Sequence, residues 1–228
     1  MLPYVYKSMR LRAANGNRFI TDSDGLGDIS LTLLQELKKD EKWDVQFSFG
    51  ISAPTGTIEA RDRTPINSNL RLPYPMQLGT GTWNVLPALT ATRFMDEWTF
   101  GAQLKAKFHL DDNDRGYAHG DVFNTSLWAT RALTKNFSTS LRLQGQIEQD
   151  FRGFDIETNR MRRMTPTADA EIRGRSRIDL LPGLSYQFAT KSINNRLSVE
   201  LGFPLYEKVE GVNLQTDLTV NASWQLLF

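Results

Sequence analysis

The chain predicts an all-β protein, an antiparallel transmembrane β-barrel of about ten strands with short periplasmic turns and long outer loops. Three observations carry this reading. Segments of roughly ten to thirteen residues alternate apolar and polar side chains with a period of two, the mark of a strand with unlike faces. Short and long connections between these segments alternate strictly, as in outer-membrane barrels. The last segment puts Leu218, Val220, Ala222, Trp224, Leu226 and Phe228 on one face and stops on an aromatic, a common ending for such barrels.

Composition narrows the alternatives. At 228 residues the chain suits one domain, residues 1–228. Hydrophobic residues make up 40% and the mean hydropathy is −0.41. No apolar run approaches the roughly 18 residues of a membrane helix, which excludes a helical membrane protein. A barrel is not excluded, because its polar inner face dilutes the average. The net charge of +1 gives no reason to propose nucleic acid as a partner. The absence of cysteine removes disulfides and thiolate metal sites, and it fits passage through an oxidising periplasm. The N-terminus, Met-Leu-Pro-Tyr-Val-Tyr-Lys, lacks the features of a signal peptide. The expectation is that a leader and some strand sequence are missing from the N-terminal side.

The segments follow in order. Pro3 to Arg12 reads as a first strand, and Ala13 to Leu26, rich in Asn, Gly and Asp, as a loop. Gly27 to Leu37 alternates, with Ile29, Leu31, Leu33 and Leu37 on one side. After the charged turn Lys38 to Lys42, the strand Trp43 to Ala53 sets Trp43, Val45, Phe47, Phe49 and Ile51 against Asp44, Gln46, Ser48, Gly50 and Ser52. A long polar segment, Pro54 to Gly81, leads to the strand Thr82 to Phe94. A turn near Asp96 precedes the strand Trp98 to Leu110. Loop Asp111 to Gly120, strand Asp121 to Leu133, turn Thr134 to Asn136 and strand Phe137 to Gln149 come next. A second long segment, Asp150 to Gly174, precedes strands Arg175 to Ala189 and Arg196 to Tyr206, which are joined by a turn over Thr190 to Asn195. Glu207 to Asn213 then leads into the final strand, which is expected to close the barrel against Pro3 to Arg12. Pro87 and Pro182 sit mid-strand and lack the N–H that a ladder needs, so each predicts a bulge or local break in register.

Energetics decide which face meets lipid. In Trp98 to Leu110 one face carries Phe100, Leu104 and Phe108, and the other carries Gln103, Lys105, Lys107 and His109. A lysine exposed to lipid near the midplane costs about 2–4 kcal/mol, so the lysine face looks into the lumen. The same reasoning turns Arg142, Gln144, Glu148, Arg175, Arg177 and Asp179 inward. The competing fold is a soluble sandwich or lipocalin-like barrel, in which the apolar face would be the core. Aromatics near strand ends, among them Trp43, Trp83, Trp98 and Phe137, favour the membrane barrel with its interfacial girdles.

Three motifs have a familiar form: Gly25-Leu-Gly-Asp-Ile-Ser-Leu31, Phe49-Gly-Ile-Ser-Ala-Pro-Thr-Gly56 and Pro73-Tyr-Pro-Met-Gln-Leu-Gly-Thr-Gly-Thr-Trp83. With Leu86-Pro-Ala-Leu89 and the C-terminal strand, they resemble the "MetA-pathway of phenol degradation" family of outer-membrane transporter-like barrels. The resemblance implies a full barrel of about 12 strands and transport of small aromatic or hydrophobic compounds. It supplies no catalytic residue and no cofactor.

The candidate lumen residues are Asp28, Asp44, Lys105, Lys107, His109, Arg142, Glu148, Arg175, Arg177, Asp179 and Glu200. Two readings stand side by side: a polar pore that favours anionic or polarisable solutes, and a salt-bridged filling that only holds the barrel in shape. Loop Pro54 to Gly81 is long enough to pack on the barrel mouth or fold inward. With the resemblance, this points to Tyr74, Met76 and Gln77 as the place of solute selection. Arg152, Arg160, Arg162, Arg163 and Arg173 crowd the second long segment, whose plainest reading is a solvated loop. An enzyme would need a histidine beside a nucleophile or acid. His109 and His119 are the only histidines, flanking a loop with Asp111, Asp112 and Asp114 whose composition is ordinary for a turn. The expectation is a non-enzymatic outer-membrane channel of a Gram-negative-type bacterium, with no cofactor and no metal. Lipid and a small solute are its partners, and a protein partner or a second copy are further candidates. A closed anchoring barrel is the alternative, and an outer-membrane hydrolase the remote one.

Overall fold

The computed structural model describes residues 1–12, 16–65, 67–162, 165–190, 193–211 and 213–227. Its long strands are β1 (Tyr4–Arg12), β2 (Arg18–Leu26), β3 (Ser30–Lys39), β4 (Trp43–Ser52), β5 (Asn84–Met95), β6 (Trp98–His109), β7 (Val122–Ala132), β8 (Phe137–Glu148), β9 (Arg175–Thr190), β10 (Ile193–Val209) and β11 (Thr219–Leu227). Strands β3 to β11 form one nine-stranded antiparallel sheet, and each is paired with its neighbours in chain order. From β3 to β11 the expected alternation of short and long connections holds, whereas β1, β2 and β3 follow one another through short links. Asp96 and Glu97 alone link β5 to β6, with Asp96 at the positive φ of 37° that such two-residue turns demand. Asp40 closes the β3–β4 turn by accepting from the Lys42 and Trp43 amides at 2.9 and 2.8 Å. The expected terminal aromatic, Phe228, lies outside the described residues, as do Ala13 to Asn15, Arg163, and Lys191 and Ser192 of the last short turn.

Two expectations need correction. Arg18 to Leu26, read as loop, is a strand, and it pairs residue for residue with β1 from Tyr4↔Leu26 to Arg12↔Arg18. β1 therefore does not close against the final strand. Among the described residues the sheet is open, with β3 and β11 at its edges. The physical reason is local: the tyrosines of β1 meet the aspartates of β2 on the outer face of the hairpin, Tyr4 donating to Asp24 (2.5 Å) and Tyr6 to Asp22 (3.3 Å). The other face of the hairpin, carrying Lys7, Met9, Thr21 and Ser23, packs on the segment Pro54 to Gly81, with Ser23 donating to the Met76 carbonyl at 2.6 Å.

The prolines behave as one-sided interruptions. Pro87 keeps its place opposite Phe49 in β4, while the ladder to β6 skips Leu86 and Pro87 without changing register. Pro182 stays opposite Leu141 in β8, while the ladder to β10 skips Leu181 and Pro182. The register shift in β9 lies nearby, between Ile178 and Asp179. A proline removes one donor, so only the neighbour that would have received it loses a bond.

The burial is inverted relative to a soluble sheet. On the outer face Leu33, Leu104 and Leu184 are 70%, 61% and 61% exposed, while on the polar face Asn84, His109 and Asp179 fall to 0%, 4% and 3%. Trp128 reaches across the polar face onto Gly101, where any Cβ would stand 2.0 Å from its ring. The Arg142 guanidinium stands 5.8 Å from the centre of that ring. In the edge strand β11, Asn221, Ser223 and Gln225 are exposed as well.

Candidate functional site

The largest fully buried side chains sit at the long-connection end of the sheet, where three loops and the β1–β2 hairpin form a cap. Arg71 and Tyr117 are its centre, at 1% and 0% exposure. Arg71 binds the Asp155 carboxylate at 3.1 Å and donates to the Ile58 carbonyl at 2.6 Å. Asp155 has a second task, capping the one-turn helix Ile156–Asn159 by accepting from the Thr158 amide at 2.7 Å. Its own amide donates to the Tyr74 hydroxyl at 3.0 Å. One side of the cap is aromatic: Tyr74 meets Tyr117 and Phe151 edge-on, and His119 lies 4.2 Å from Phe151. The other side is aliphatic, with Met9, Leu72 and Met76 in contact. One two-residue ladder folds the first loop on itself, Arg61–Asp62 with Leu70–Arg71, and another joins two loops, Tyr117–Ala118 with Arg152–Gly153.

The three predicted mouth residues lie inside this cap. Tyr74 and Met76 belong to its two clusters. Gln77 is buried and works as a brace, accepting from the Ala60 amide at 2.8 Å and donating to the Leu72 carbonyl at 2.7 Å. Lys7 donates to the Gln77 carbonyl from the hairpin. Asp28, expected on the lumen wall, stands between β2 and β3 and holds the loop instead: its carboxylate accepts from the Gly56 amide (3.0 Å), the Thr80 amide (2.9 Å) and the Thr80 hydroxyl (2.8 Å).

The other predicted residues lie along the polar face of the sheet. Arg142 pairs with Glu200 at 3.0 Å, reaching across β9. Arg175 bridges Glu148 (3.9 Å) and Glu207 (3.6 Å), and Arg177 pairs with Asp179 at 2.8 Å. Asp44 sits toward the short-turn end and accepts from Gln46. Lys105 is exposed, and Lys107 is half-buried beneath the cap. The His109 amide donates to Asp121 at 2.9 Å, and its ring faces His119 at 5.8 Å. Among the described residues no group of His, Asp and Glu is arranged to hold a metal ion. Asp111, Asp112 and Asp114 line a separate polar hollow of about 610 Å³ with Glu59 and Trp83. Sequence reasoning missed Arg71, Asp155, Tyr117 and Phe151 as cap residues, because their contacts join segments far apart in the chain.

Burial tunes the ionisable groups of the cap. It pushes the Tyr117 phenol up to about 12 and lowers the Arg173 guanidinium. The buried His119 ring is held well below its ordinary 6.5, first by desolvation and then by His109, Lys107, Lys7 and Arg173. A base with a depressed folded pKa binds fewer protons when folded, so this stabilisation is complete above about pH 6.5 and declines as the pH falls below it. The slope is at most about 1.4 kcal/mol per pH unit for one such group. Limited proteolysis in the second long loop should therefore quicken between about pH 7.5 and pH 5. Equal rates would contradict the sign.

The family model described as "Putative MetA-pathway of phenol degradation" matches residues 1–204. The chain belongs to this family. No curated protein matches it. The motif segments that resemble this phenol-degradation family gather at the cap, and close packing explains their glycines. A Cβ on Gly79 would lie 2.3 Å from the Gly56 carbonyl oxygen, and one on Gly27 would press on Pro3, Val5 and the Leu78 carbonyl. Only glycine lets these backbones approach so closely where Asp28 pins them.

Proposed function

We propose that this protein is an outer-membrane β-barrel that conducts small solutes, aromatic or hydrophobic compounds among them, through a polar mixed-charge lumen under a selective cap. The observation that carries the reading is the inverted burial of the sheet. A broad apolar surface costs free energy in water but matches lipid. Arginines placed over tryptophans at the short-turn end, Arg93 over Trp43 and Arg131 over Trp98, support an interfacial girdle in which cationic ends reach toward headgroups. Ion pairs of both signs along the polar face favour modest ion selectivity. On this reading the protein is non-catalytic, its surroundings are outer-membrane lipid of a Gram-negative-type bacterium, and it needs no cofactor. Its function is tested by conductance of the purified, folded protein in planar bilayers. Discrete channel openings are the expected result, and a folded protein with none would defeat the pore reading.

The dense packing of the cap favours a second reading, a closed barrel that anchors a partner at the surface. The two diverge in the same measurement, because a closed barrel gives no openings even when the cap is loosened.

A further inference from the structure

We propose that the tip of the β1–β2 hairpin docks the phosphorylated sugars of the glycolipid in the outer leaflet, with Arg10, Arg12 and Arg18 holding the phosphates. This rests on the outer-membrane reading above and adds a partner to it. The register of the hairpin gathers the three arginines. Arg12 stands opposite Arg18 and Arg10 opposite Ile20, so all four side chains share one face. Two residues along a strand span about 7 Å, so three guanidiniums on long stems can converge on one phosphate or on two neighbouring ones. With Leu11, Phe19 and Ile20 they line a hollow of about 460 Å³.

The first argument is charge. Arg61, Arg71, Arg131, Arg142, Arg175 and Arg177 each lie within 4.0 Å of a carboxylate. Arg10, Arg12 and Arg18 are exposed, and none of the three has such a partner among the described residues. The acids of the same face, Asp22 and Asp24, sit nearer the wall and accept from Tyr6 and Tyr4. The turn sequence Ala13-Ala-Asn15 supplies no acid. Like charges directly across a ladder, as Arg12 and Arg18 are, destabilise a hairpin. An anion between them turns that repulsion into attraction, and the planar guanidinium fork matches phosphate with paired N–H donors.

The second argument is position. The hairpin face with Lys7, Met9, Thr21 and Ser23 packs on the cap, so the arginine face is turned away from it. On that outward face Tyr4 and Tyr6 are 69% and 67% exposed and suit the interface where the wall ends. Arg12 lies about 20 Å further along the strand than Tyr6, past the acyl chains and among the sugars. Ile20, 52% exposed beside the cations, offers an apolar contact to the C–H face of a sugar ring. A bare phosphate ion leaves that contact unused, and a neutral sugar leaves the arginines unmet.

The test is calorimetric titration of the full chain, folded in neutral detergent micelles, with the water-soluble sugar–phosphate core released from lipopolysaccharide. The same core stripped of its phosphates, and inorganic phosphate, are the comparison titrants. The phosphorylated core should bind saturably and both comparisons at least about tenfold more weakly. Arg12→Gln and Arg18→Gln should each weaken the core by about threefold, and the triple variant with Arg10→Gln by about thirtyfold. Lys135→Gln, in the turn at the opposite end of the sheet, removes the same charge and should leave the affinity unchanged. Equal binding of the phosphorylated and stripped cores by the unaltered protein would overturn the proposal, as would equal losses in Lys135→Gln and Arg12→Gln. Inorganic phosphate binding as tightly as the core would also overturn it, leaving a plain anion site. Bilayer recordings separate this site from the channel. Conductance with no core binding removes the site and keeps the channel. Core binding with no conductance keeps the site and removes the channel.

Discussion

Arg71→Ala is expected to loosen the cap by about 3–5 kcal/mol while the nine-stranded sheet stays folded. Arg71 and Asp155 are at 1% and 2% side-chain exposure, and their carboxylate–guanidinium contact joins the loop over residues 54–81 to the loop over residues 150–174. Removing the cation strands a buried carboxylate that the Thr158 amide satisfies only in part. The Ile58 carbonyl loses its donor as well. The sheet is insulated from this loss because its ladders run between neighbouring strands and do not pass through the cap. Faster protease nicking within residues 54–81 and 150–174, with strand content unchanged by circular dichroism, is the expected result. The double change Arg71→Met with Asp155→Asn should be milder than Arg71→Met alone, because no unpaired charge remains. If the single and double variants lose the same stability, the ion pair is not what holds the loops. On the channel reading the loosened cap also raises conductance.

Leu104→Arg separates a membrane wall from a soluble surface. Leu104 is 61% exposed in the middle of β6. In lipid, an arginine near the midplane costs about 2–4 kcal/mol. In water, the same change at so exposed a position is close to neutral, within about 0.5 kcal/mol. Denaturant unfolding of vesicle-inserted protein gives the first number, and Gln144→Arg on the polar face, opposite Asp179, is the internal control. An unaltered midpoint for Leu104→Arg would argue against lipid on that face.

The strands of the large sheet were readable because each carries its own two-sided code. Lys105 and Lys107 on one side of Leu104 and Phe108 tell strand and facing within a few residues. β2 escaped detection because its polar residues imitate a turn. Asp22 and Asp24 are loop chemistry until the Tyr6 and Tyr4 hydroxyls donate to them diagonally across the hairpin. The cap was hinted at by the length of Pro54 to Gly81 and by its Pro-Tyr-Pro-Met-Gln run, which placed Tyr74, Met76 and Gln77. Its partners were not legible. Nothing local marks Asp155 as the mate of Arg71, since a buried ion pair between two loops leaves no periodicity behind. Asp28 shows the converse: its place in an alternating segment suggested a wall, while its geometry serves backbone amides of the loop.

The reach of the cap contacts also orders its assembly. Strand pairing proceeds between neighbours joined by turns of a few residues, and such local contacts form early. The hydrogen bond between Tyr74 and the Asp155 amide spans 81 positions, and that between Lys7 and Gln77 spans 70. The first can form only after β5 to β8 have lined up and brought the loops to one end, and the second only after β2 to β4 have done so. The chain therefore builds its wall first and shuts its mouth last, so the charged groups of the cap stay in water until the sheet that shelters them exists.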